Sequence, residues 1–124
     1  MRYLLDSNVI IAIGLDTDAA VIARAAECDA GEMVTSAIVF AEVLQGSERG
    51  KPPPLDVLNL LAEEIPVLPF DDKAAAAYAK VPFKRASYDR LIAAHALALG
   101  LIVVTQNEKH FADVPGLVVE NWTV

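Results

Sequence analysis

The stretch YLLDSNVI, Tyr3 to Ile10, decides how this chain folds. Tyr3-Leu4-Leu5 reads as a short buried strand. Three polar residues follow, Asp6-Ser7-Asn8, and the apolar pattern then resumes with Val9-Ile10-Ile11. Val9, Ile10 and Ile13 suit a helix, which Ser7 or Asn8 can cap, with Gly14 near its end. A strand that runs into a helix with so short a break delivers one carboxylate, Asp6, to the strand's carboxyl end.

The alternation of strand and helix continues outward from there. Thr17 is a cap for a helix over 18–29, and Met33-Val34-Thr35 is a second strand. Ser36 opens a helix that Gly46 is expected to stop. Pro52-Pro53-Pro54 starts the next element, since proline is tolerated in a first helical turn, and Leu55 to Glu64 is an amphipathic helix. Residues 65–68 form a strand that Pro66 confines to a sheet edge. Asp71 or Asp72 caps a helix over 73–80, and Ser87 caps the longest apolar helix, which Gly100 ends. Leu101 to Val104 is a continuous apolar run, as expected of a parallel strand buried on both faces. A short helical piece at 107–112 and a last strand at 117–119 complete the chain. The pattern predicts an α/β fold of three layers, a central parallel sheet of four to five short strands flanked by helices, in a single domain over 1–124. In such sheets ligands bind at the carboxyl ends of the strands. Asp6 and the run Thr105 to Asn107 both fall there.

Composition narrows the function. At 124 residues, 55% hydrophobic and 22% charged, the chain is globular rather than disordered. One cysteine, Cys28, excludes an internal disulfide and a paired-cysteine metal site. Ser7 to Leu15, the charge-free apolar segment nearest the N-terminus, is far short of the roughly 20 residues of a membrane span. A cytoplasmic location is expected. The net charge of −7 argues against binding nucleic acid through bulk electrostatics. Between positions 80 and 90, however, Lys80, Lys84, Arg85 and Arg90 stand against Asp89 alone.

Three acids lie in apolar settings. Asp6 ends the first strand. Glu42 sits inside AIVFAEVLQG with Ile38 and Val39 on its helical face. Asp89 begins a helix whose next turn carries Ile92 and Ala93. Each has an ordinary reading: Asp6 as an N-cap, Asp89 as a first-turn acid favoured by the helix dipole, Glu42 as a solvent-facing side chain. Together they repel one another unless some protonate or a cation joins them. Oxygen ligands of this kind suit Mg²⁺ or Mn²⁺.

YLLDSNVI, TSAIVFAEVLQG, YDRLIAAHALALG and VTQNEKHFADVPGLVVENW, in that order, resemble the PIN domain and, within it, the VapC-type toxin ribonucleases of toxin–antitoxin modules. The resemblance covers essentially the whole chain. It implies an Mg²⁺- or Mn²⁺-dependent endoribonuclease that leaves a 5′-phosphate and a 3′-hydroxyl. It also implies a homodimer and a cognate VapB-type antitoxin as partner. Carried over residue by residue, it places the catalytic and metal-binding acids at Asp6, Glu42 and Asp89. Ser7, Asn8 and Thr105 support them. The fourth corner, often an acid in such domains, is Asn107 here, with Glu108 beside it expected to stay out of the site. The stretch from Asp72 to Asp89 is shorter than the family pattern. Lys84, Arg85 and Arg90 are expected to meet the RNA backbone.

Other residues read as structural. His95 is expected in the core, His110 has no paired ligand spacing, Cys28 reads as a small hydrophobe, and Trp122 packs the last strand. Two competing functions remain. One is a catalytically weak or inactive PIN-like module that binds RNA or protein. The other is a hydrolase of small phosphoesters, whose second acid, two residues after the first, is replaced here by Asn8.

Overall fold

The computed structural model describes residues 1–83 and 87–123. Its five strands are β1 (Tyr3–Leu5), β2 (Met33–Ser36), β3 (Val67–Leu68), β4 (Ile102–Val104) and β5 (Val119–Glu120). They form one parallel sheet in the order β3-β2-β1-β4-β5. Leu4 stands opposite Val34 on one side and Val103 on the other. Leu4, Leu5, Val103 and Val104 are fully buried, which is why these strands read as unbroken apolar runs.

Six helices flank the sheet: α1 (Ser7–Leu15), α2 (Ala19–Ala26), α3 (Ala37–Glu48), α4 (Leu55–Glu64), α5 (Asp72–Tyr78) and α6 (Tyr88–Leu99). A 3₁₀ turn at Glu108–His110 follows β4. From β1 the chain builds outward through β2 and β3, then returns to the other side of β1 with β4 and β5. Right-handed crossovers on the two sides put their helices on opposite faces of the sheet. The order reverses between β1 and β4, so a crevice opens at the carboxyl ends of those two strands.

Several element ends differ from the sequence expectation. Asp6, rather than Ser7 or Asn8, caps α1, its Oδ1 accepting from the Ser7 N–H at 2.8 Å. Gly14 does lie near the end of that helix, as expected, and Asp16 closes it in the left-handed region at φ 52°. A Cβ at Gly14 would lie 3.0 Å from Leu61 Cδ1, so glycine there lets α4 approach closely. Asp18, not Thr17, caps α2, which ends at Ala26. Helix α3 runs past Gly46 to Glu48, whereas α4 spans Leu55–Glu64 as expected, with Pro54 at its N-cap. Other signals hold. Ser36, Asp71 and Ser87 cap their helices, Gly100 closes α6 at φ 67°, and β3 lies at the sheet edge. Trp122 is buried edge-on against Tyr3 at 5.1 Å, fastening the chain's end to β1. Among the described residues no helix is long and apolar enough to cross a membrane.

Candidate active site

Strand β1 ends at the crevice with Asp6. The Asp6 N–H still donates to Val104 O at 2.9 Å, continuing the sheet, while its carbonyl accepts the first helical bonds of α1. One residue therefore terminates a strand and starts a helix, and its side chain is almost fully buried. Both carboxylate oxygens are engaged. Oδ1 takes the Ser7 N–H, and Oδ2 takes the Thr105 hydroxyl at 2.7 Å. Thr105, just past β4, also accepts the Asn107 N–H at 3.0 Å. Burial pushes the Asp6 carboxyl above its usual range, against the pull of its two hydrogen bonds; Asp89 adds to the rise and His110 opposes it.

Glu42 comes from α3, entering beside Asp6 because β2 is the neighbour of β1. Its Oε1 is buried and has no hydrogen-bond partner among the described residues. Burial, then the charges of Asp6 and Asp89, pushes its carboxyl up to about 7. Asp89 stands in the first turn of α6, and its Oδ2 meets His110 Nδ1 at 2.9 Å. As they stand, no three His, Cys, Asp or Glu side chains among the described residues are gathered closely enough to hold an ion. Asp6 and Asp89 are each turned to a neighbour, and Glu42 to none.

The PIN domain family model matches residues 3–117. The chain belongs to the PIN domain family. It is 30% identical to the tRNA(fMet)-specific endonuclease VapC of Shigella flexneri, over 99% of both chains. Among solved structures it superposes on VapBC-1 from nontypeable Haemophilus influenzae with a TM-score of 0.81 and 27% identity, each chain covered completely. A VapBC2 complex from Rickettsia felis, bound to a DNA fragment from its promoter, shares the fold at a TM-score of 0.86 and 24% identity, covering 98% of this chain and 99% of that one.

In this PIN domain the sequence-predicted residues divide into two groups. Asp6 is bonded to Ser7 and Thr105, Ser7 and Glu42 line one cleft, and Asp89 stands at the start of α6. Asn107 is exposed at the start of the 3₁₀ turn, anchored there through its N–H. Asn8 lies in the first turn of α1, half-buried. Glu108 is turned to Asn121, whose Nδ2 donates to Glu108 Oε1 at 3.0 Å. Lys84 and Arg85 lie outside the described residues. Arg90 departs from expectation: it is buried, and its guanidinium meets Asp113 at 2.7 Å. This ion pair ties α6 to the chain after β4, and Arg90 Nη1 has no hydrogen-bond partner among the described residues.

His95 is in the core, as expected, with Nδ1 paired to Ser36 Oγ at 2.8 Å and its ring edge-on to Phe70. His110 is the functional neighbour that the sequence did not reveal. It lies 21 residues beyond Asp89, and the return of the chain from α6 through β4 to the 3₁₀ turn brings the two together.

Proposed function

We propose that this PIN domain, residues 1–124 as one unit, is a divalent-metal-dependent endoribonuclease, the toxin of a toxin–antitoxin pair. The observation that carries the reading is Glu42. An orphaned, buried carboxylate oxygen, pushed up to about 7 by burial and two neighbouring acids, is what a cation-binding site looks like before its cation arrives. The donor set is all oxygen, which suits Mg²⁺ or Mn²⁺. Asp6, Glu42 and Asp89 would hold the ion, with Asn107 at the fourth corner.

Such an ion, when bound, supplies an activated water and relieves charge on the phosphoryl oxygens. The protein's part is positioning. Thr105 and the Ser7 N–H fix both oxygens of Asp6, so that acid has one orientation. His110 holds the Asp89 carboxylate from across the crevice. No histidine stands free as a general base, and attack by water does not require the ribose 2′-hydroxyl. The names of the relatives, a tRNA(fMet)-specific endonuclease and other VapC ribonucleases, support RNA as substrate. Two of the solved neighbours are VapBC structures, which supports an antitoxin partner for this chain; a homodimer is proposed as its working form.

The test is cleavage of tRNA(fMet) and total RNA with and without Mn²⁺, with the cut ends mapped. Metal-dependent cutting that leaves a 5′-phosphate and is lost in Asp6→Ala is expected. Equal cutting by wild type and Asp6→Ala overturns the reading. RNA binding without cutting transfers it to a binding module.

A further inference from the structure

Beside Glu42 a cleft of about 210 Å³ opens between α1 and α3. Ser7 and Ile11, one turn apart on α1, form one wall. Glu42 and Gly46, one turn apart on α3, form the other, with Val43 beside them. Lys51 and Pro52 close its far end.

The loop that carries Lys51 is folded back onto α3 by specific bonds. The Lys51 N–H donates to Gly46 O at 2.9 Å. The Ser47 hydroxyl is 2.6 Å from Pro53 O and 3.2 Å from Val43 O, joining the proline run to the helix. The lysine stem then lies across Gly46: a Cβ built there would sit 3.8 Å from Lys51 Cβ and 3.9 Å from its Cδ. The stem therefore packs at ordinary van der Waals distance over the helix one turn from Glu42. Lys51 is exposed and makes no ion pair among the described residues. In a protein of net charge −7, an exposed ammonium at the end of a cleft whose other end carries Glu42 suits an anion.

Resting on the ribonuclease reading, we infer that this cleft is a nucleotide subsite flanking the scissile bond. Lys51 takes the adjacent backbone phosphate, and Ile11, Val43 and Pro52 take the apolar face of the base or ribose. Lys51 is thus a positioning residue: it binds the strand and does not touch the reacting atoms.

The experiment compares wild type, Lys51→Gln and Lys51→Arg, with Lys73→Gln on α5 as control. Mn²⁺-dependent cleavage of tRNA(fMet) gives KM and kcat, and affinity for fluorescein-labelled tRNA(fMet) is measured against salt in an Asp6→Asn background. Lys51→Gln is expected to raise KM about 3- to 10-fold with kcat little changed, and to lower the salt slope by about one phosphate contact. Lys51→Arg and Lys73→Gln should behave as wild type. Unchanged KM and salt slope in Lys51→Gln overturn the subsite. So does a loss confined to antitoxin binding, which gives the cleft to the protein partner. A wild type that binds RNA without cutting it defeats the nuclease reading alone, and the salt slope still decides the subsite. A wild type that does not bind RNA defeats both.

Discussion

Glu42 holds the largest electrostatic tension described in the molecule. Its ionised form is disfavoured by burial and by Asp6 and Asp89, and no donor reaches its Oε1. Replacing it with glutamine removes the charge and keeps the shape. Because the side chain is only half-buried, screening limits the gain to about 1 kcal/mol, or about 3–5 °C in Tm for a domain of this size. Glu42→Gln is therefore expected to melt higher than wild type in EDTA at neutral pH and to lose the stabilisation that Mn²⁺ gives wild type. Scanning fluorimetry reads both. A variant that melts lower in EDTA, or that keeps the full Mn²⁺ shift, removes Glu42 from the ion site. Arg90 makes the opposite case. Its charge is buried and answered by Asp113, so Arg90→Met should cost about 1–4 kcal/mol of stability by leaving a partly buried carboxylate without its guanidinium. RNA affinity of the folded fraction should not change. Urea melts and RNA titrations separate the two effects.

At the scale of elements, the caps and stops are what make the site rigid. Gly100 ends α6 in the left-handed region, with nothing within 4 Å of where a Cβ would be. Gly100→Ala therefore meets only conformational strain and should lower stability by about 1 kcal/mol without touching activity. A urea midpoint unchanged from wild type would refute that assignment. Gly100 was legible as a stop because α6 is followed directly by an apolar strand. Gly46 was not a stop, since α3 runs on to Glu48, and sequence cannot show that Gly14 admits Leu61 from α4, a contact made by tertiary packing. The parallel sheet was legible because strands buried on both faces lose their alternation. The acids Asp6, Glu42 and Asp89 were legible because carboxylates inside apolar runs need an explanation. Thr105 was legible as a support only from its place after β4; its bond to Asp6 spans 99 residues. Arg90 misled because a basic stretch looks solvated until a distant Asp113 encloses one member of it. His110 stayed hidden for the same reason in reverse, since nothing near it in sequence marks it as the partner of Asp89.

At the scale of the whole molecule, these groups make stability and metal affinity depend on pH in opposing ways. Asp6 and Glu42 have folded values above their unfolded ones, so the metal-free fold binds more protons than the unfolded chain. Their contribution is fully present below the unfolded carboxyl range, about pH 4, and is lost as pH rises through the folded values, about 7 for Glu42. His95 runs the other way. Burial holds it neutral, so its contribution is full above the unfolded histidine value, about 6.5, and is lost as pH falls below it. Between these limits the two trends oppose, and the metal-free protein should show a broad, shallow maximum in stability. A bound cation needs the carboxylates ionised, so binding must release the protons they carry. The rise in Tm produced by Mn²⁺ is therefore expected to grow from about pH 6 to about pH 8, with proton release at neutral pH that calorimetry in buffers of different ionisation heat can count. Glu42→Gln should abolish that release near neutrality while leaving the His95 limb of the metal-free profile in place. If the Mn²⁺ shift is the same across this range and no proton leaves, the cation does not bind at these acids, and the strain stored at Glu42 needs another cause.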